Sequence, residues 1–172
     1  SPTGGGGHSW IIAVDEQGRV IWYYRSEQPT SSDFRQTETG NMLFLDSRDA
    51  IEMDVLGNVV NRWHPSGLQP APETSNGVVP VNTVNFHHEI AELPSGNLLT
   101  LGTELRHFNT YPSSETDPRA PGRPSDVVGD LVIEFGRDGS IVNQWSLLDL
   151  LDPYRIGYDS LLGFWDAQYP NA

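Results

Sequence analysis

Cysteine and lysine are both missing from these 172 residues. Without cysteine there are no disulfides and no thiolate metal centres, and the redox compartment is left open. The ten Lys and Arg positions are all arginine and face 23 Asp and Glu, for a formal net charge of −13. That balance excludes a nucleic-acid binder built on a basic patch, and an anionic leaflet would repel the chain. An acidic, lysine-free composition reads either as adaptation to high salt, where screening makes carboxylate repulsion tolerable, or as codon bias. Long apolar runs are lacking too, so no segment approaches the roughly 18 residues of a membrane span. Ser1-Pro2-Thr3 and the four glycines after it carry no initiator Met and no apolar signal segment, and read as a processed end or an excised fragment. Residues 1–9 are expected to be a flexible segment. A phosphate-cradling role for these glycines would need a preceding strand, a following helix and a Lys, all missing.

What is present suits a folded domain: 37% of residues are hydrophobic, among them 5 Trp, 6 Tyr and 6 Phe, enough for a packed core. Self-similarity organises the chain. Segments 11–22, 51–63 and 132–145 each run as an alternating strand, a turn carrying Gly, and a second β-branched strand ending on Trp22, Trp63 or Trp145. The tryptophans are 41 and 82 residues apart, one and two periods of a propeller blade. A second hairpin form, Thr39-Gly40-Asn41-Met42-Leu43 and Pro94-Ser95-Gly96-Asn97-Leu98, precedes the second and third Trp hairpins. Together they make four strands per unit. A β-sandwich also supplies short strands at such intervals, but a Trp at the same strand end each time favours an all-β propeller of four-stranded antiparallel blades.

Residues 102–126, rich in Pro, Ser, Thr and Asp, are expected to be a long inserted loop, and 66–82, with Pro70, Pro72 and Pro80, a second irregular connection. The run 145–151 ahead of Pro153 reads as a short helical turn. The propeller body is expected over 10–166, with 167–172 as its end. Three to four blades fit in this length, and closure must remove the sheet edges. The rest is expected from further polypeptide, a second chain or additional copies.

Of five histidines only the adjacent pair stands out, in Phe86-His87-His88-Glu89-Ile90. Neighbouring strand residues point to opposite faces, which predicts one buried and one exposed imidazole unless the strand begins after them. A zinc site would need a third ligand nearby, and no metal site is expected. Acid/base, nucleophilic or anion-binding work at a propeller's funnel is the other reading.

The block from Phe86 to Ile90 with Leu93-Pro94-Ser95-Gly96-Asn97-Leu98-Leu99, followed by Gly129-Asp130-Leu131-Val132-Ile133-Glu134-Phe135 and Asp138-Gly139-x-Ile141-Val142-x-x-Trp145, resembles the arylsulfotransferase family over most of 10–166. The resemblance implies a six-bladed propeller that moves sulfate from an aryl sulfate to a phenol through a transiently sulfated histidine, without a cofactor. It implies His87 or His88 as a funnel histidine and Arg106 as a sulfate-binding fork. It also implies a periplasmic or extracellular location. The family's Trp-x-His-x-Asn segment and its later sulfate-accepting histidine have no counterpart here, so the chain alone is expected to be inactive. A non-catalytic propeller module that has lost the chemistry is the alternative.

Overall fold

The computed structural model describes residues 8–26, 31–67 and 77–158. The glycine run, Pro70, Pro72 and the stretch 167–172 lie outside the described residues. The chain forms two compact units, residues 1–102 with 132–144 and residues 103–131 with 145–172.

Apart from one short helix the described elements are all strands. β1 (Ser9–Val14) and β2 (Val20–Ser26) make an antiparallel hairpin. β3 (Ser31–Gln36), β4 (Met42–Asp46), β5 (Asp49–Met53) and β6 (Val59–Pro65) form an antiparallel meander, extended by β7 (Val78–Val81), which runs parallel to β6. β8 (His87–Glu92), β9 (Leu98–Tyr111), β10 (Arg123–Phe135) and β11 (Ile141–Ser146) form a sheet in the order β11-β10-β9-β8. α1 (Leu147–Leu150) lies within the helical turn expected over 145–151, of which Trp145 and Ser146 belong to β11 instead. The architecture is all-β, and among the described residues the sheets do not close into a barrel. No helix among them is long and apolar enough to cross a membrane.

Among the described residues one turn recurs five times, beginning at Asp15, Thr37, Asp54, Leu93 and Gly136. In each, the amide of the first residue donates to the carbonyl four residues on, and the glycine in fourth place donates back to the first carbonyl, at 2.8–3.1 Å. Gly18, Gly40, Gly57, Gly96 and Gly139 all have φ between 77° and 88°, where a Cβ would clash with its own backbone. This is a three-residue hairpin loop closed by a glycine bulge. Asp15 and Asp54 reinforce their turns by accepting from the amides two and four residues on.

The turns also set the true register of the repeat, and it corrects the spacing of 41. Asp15, Asp54 and Gly136 open equivalent turns 39 and 82 residues apart. Tyr24 is therefore the counterpart of Trp63 and Trp145, while Trp22 stands where Asn61 and Asn143 stand. Residues two apart on a strand share a face, so both rungs reach the same neighbour. Trp22 Nε1 donates to the carbonyl of Val55 at 2.9 Å, and Trp63 Nε1 to that of Arg137 at 3.0 Å. Val55 and Arg137 are both the second residue of their turns.

These contacts lie in the first unit, whose core is aromatic. Phe44, Ile51 and Met53 are buried, with Ile11, Trp22 and Tyr24 packed on them. Trp63 meets Phe135 edge-on with ring centroids 6.2 Å apart, and Phe135 stacks on Phe86 at 5.6 Å. Each fully buried large side chain contributes about 1.5–3 kcal/mol.

The long loop expected at 102–126 is shorter than that. Residues 102–111 belong to β9 and 123–126 to β10. Alternating half-buried and exposed positions, with Thr103, Phe108, Thr110 and Tyr111 among them, suit an extended chain despite their polarity. The second expected irregular stretch likewise contains β7, where Pro80 sits on a sheet edge, as a residue without an N–H must.

Candidate functional site

The His-His-Glu block opens β8, and strict alternation fails there. His87 pairs with Leu101 and Ile90 with Thr100, so His88 and Glu89 form a bulge between them. His88 has φ 61°, a left-handed backbone uncommon outside glycine. The kink brings the two imidazoles into edge-to-face contact, with centroids 5.1 Å apart and planes at 87°. His87 is half-buried and its Nε2 lies 3.1 Å from the Gly102 carbonyl, which accepts the bond and so fixes the proton on Nε2. Gly102 permits that approach; a Cβ there would fall 2.5 Å from Ile133 and 2.8 Å from Thr83 Oγ1. His88 is exposed.

The bulge is held from another sheet. The Ile90 amide donates to Asp33 Oδ2 at 2.7 Å, and Arg35 donates to the same carboxylate at 3.0 Å. Asp33 is itself left-handed, at φ 51°. Arg35 also lies 3.5 Å from Glu89. The Asp33 hydrogen bond and charge, with Glu89 adding to them, raise the guanidinium's affinity for its proton against the opposing effect of burial. The site therefore combines two contacting imidazoles, one of them strained and accessible, with an arginine on the same bulge. Strain of this kind persists only where surrounding contacts over-determine it, and it gathers at functional sites.

The sequence profile of a family described as Arylsulfotransferase (ASST) matches residues 6–167. The chain belongs to the arylsulfotransferase family. No curated protein matches it. A crystal structure at 1.35 Å of a protein of unknown function from Bacteroides caccae is similar, at 15% identity over 79% of this chain and 38% of that one, with a TM-score of 0.42. This arylsulfotransferase-family chain thus spans about 38% of that protein's length.

Arg106, the other position singled out in this family member, lies in the second unit, where its guanidinium is occupied. It donates to Asp149 at 2.5 Å, to Glu104 at 2.9 Å and to Ser146 Oγ at 3.0 Å. The Asp149 and Glu104 hydrogen bonds raise its pKa. In this structure the Arg106 guanidinium is shared between the two carboxylates.

Sequence reasoning passed over two residues. Arg35 has no local signal, since what places it at the bulge is the pairing of Asp33 with Ile90, 57 residues away. His64 did have one: pairing outward from the Gly57 turn puts Ala50 opposite Trp63, and hence Asp49 opposite His64. His64 Nδ1 meets Asp49 Oδ1 at 2.7 Å, Arg62 holds Oδ2 at 3.0 Å, and His64 Nε2 is buried with no hydrogen-bond partner among the described residues. Among those residues no three His, Asp or Glu side chains gather as metal ligands would.

Proposed function

We propose that this chain forms part of a propeller that transfers sulfate from an aryl sulfate to a phenolic acceptor, in the periplasm or outside the cell. In that reaction an imidazole nitrogen attacks sulfur, the bond from sulfur to the aryl oxygen breaks, and the aryl oxide leaves with the electron pair. The phenol oxygen then takes the sulfuryl group from nitrogen and gives up its proton. The observation that carries the reading is the kinked His87–His88 pair. His88, exposed on a strained backbone beside a second imidazole, is suited to donate a hydrogen bond to sulfuryl oxygens as negative charge builds on them. The nucleophile itself is assigned to polypeptide beyond these residues, as the family resemblance implies. On this reading the chain contributes about three to four blades, and further polypeptide completes the ring.

The test is sulfate transfer from 4-nitrophenyl sulfate to phenol by the assembled protein. His88→Asn is the clean variant, because Asn tolerates a left-handed backbone and removes only the imidazole. Transfer should fall about 100-fold. Unchanged turnover in both His88→Asn and His87→Ala would remove the pair from the chemistry. The second reading, a binding module without catalysis, draws on Arg106: its two carboxylates leave no free fork. An assembly that binds aryl sulfate yet neither transfers nor hydrolyses it would favour that reading.

A further inference from the structure

The repeat places one carboxylate at a fixed point in two successive hairpins. Glu52 and Glu134 each stand two residues before their turn. Each is held by two asparagines in the same way. Asn41 and Asn61 donate to Glu52 at 2.9 and 2.7 Å, and Asn97 and Asn143 donate to Glu134, both at 2.6 Å. Asn41 and Asn97 follow the glycine of their turns, and Asn61 and Asn143 lie nine residues after their glutamates. The two carboxylates differ in what covers them. Arg137, second residue of the next hairpin's turn, donates to Glu52 at 2.5 Å, and Glu52 is 2% exposed. Glu134 is half-buried, Asn143 is exposed, and among the described residues no cation meets Glu134.

At the first hairpin both of these positions are uncharged. The counterpart of Glu52 there is Ala13, opposite Trp22, and Trp22 bonds the next turn at the Val55 carbonyl. Alanine and valine occupy the two positions there, where the second hairpin has a carboxylate bound by an arginine. We infer that Glu134 with Asn97 and Asn143 is the docking point for a further β-hairpin of this same form, carrying an arginine as the second residue of its turn. The inference deepens the reading that further polypeptide packs on this sheet, and it owes nothing to sulfate chemistry. It also separates kinds of partner. A second copy docking by its own first hairpin would bring Glu16 to this position, carboxylate against carboxylate, so head-to-tail stacking of copies through β1 and β2 is disfavoured.

The experiment titrates the chain with backbone-cyclised peptides copying residues 131–146, in which the position of Arg137 is Arg, Val or Glu, and follows the side-chain amide signals of Asn97 and Asn143 by NMR. The arginine peptide is expected to shift both signals at concentrations up to about 1 mM and to bind at least about fivefold more tightly than the valine peptide, with the glutamate peptide weakest. Glu134→Gln, which keeps the side chain's shape, should erase the preference, and Glu134→Arg should reverse it toward the glutamate peptide. Equal binding of all three would overturn the inference and leave the packing reading standing. No shift with any peptide, on a chain whose spectrum shows it folded, would overturn both.

Discussion

Glu52 and Glu134 have the same asparagines and the same place before the same turn, yet one lies beneath a neighbouring hairpin and the other does not. Burial tends to push the Glu52 pKa up, but the Asn41, Asn61 and Arg137 hydrogen bonds and the arginine's charge outweigh it, and the pKa falls below 4.5. Glu134 is also lowered, by Asn143 first and then Asn97, with no cation contributing. Two neutral amides can therefore hold a carboxylate ionised. What the covering arginine adds is dependence: Arg137 also binds Glu92 and the Gly96 carbonyl and lies over the Trp63 ring, so removing Glu52 disturbs all of these.

The sharpest break in the comparison is Glu52→Ala against Glu134→Ala. The first should cost about 3 kcal/mol, since it takes one of two carboxylates from a partly buried arginine and leaves two amides without their acceptor, and the second far less; urea unfolding of both variants decides it. Next come the turns. A Cβ on Gly139 would fall 2.2 Å from the Pro80 carbonyl oxygen, whereas one on Gly18 meets nothing within 4 Å. Gly139→Ala should therefore lose about 2–3 kcal/mol and Gly18→Ala only the left-handed backbone cost of about 1 kcal/mol. Comparable losses would show that Gly139 is not packed against β7. Third, Trp63→Phe should lose about 1 kcal/mol with its hydrogen bond to Arg137. The same change at Trp145, which is 41% exposed, should be barely detectable by thermal melting.

The smallest effect is in pH. Both glutamates have depressed pKa values when folded, so their stabilisation is complete above about 4.5, the unfolded value, and is lost as pH falls through the folded pKa. Glu52→Gln should flatten the acid limb of the stability curve more than Glu134→Gln does. Equal flattening would mean that the Arg137 contribution does no more than offset the burial of Glu52.

The hairpins were legible in the sequence because a left-handed turn position selects glycine by sterics alone, which is how Gly18, Gly57 and Gly139 announce themselves. Tryptophan is a poor marker of the register, because Trp22 does the work of Trp63 from a rung two residues away. The extent of β9 and β10 was hidden by their polar alternation, which resembles loop composition. At the candidate site the pair of histidines was visible, but their contact was not. It depends on a bulge held by Asp33, and no local pattern encodes a partner so distant in the chain. Arg106 was visible as an arginine, while its engagement with Asp149, 43 residues on, was not.

In both stitches between hairpins the tryptophan bonds to a backbone oxygen rather than a side chain. An acceptor that every residue carries cannot be lost by substitution, so the tryptophan's bond survives changes at the second position of each turn, even where, as at Arg137, the side chain adds ties of its own. Glu16, Val55 and Arg137 record that freedom: an acid, an alkyl group and a base at one structural address. A chain built this way can diversify the chemistry of its junctions while their geometry is inherited unchanged, so that partner choice can evolve without putting the fold at risk.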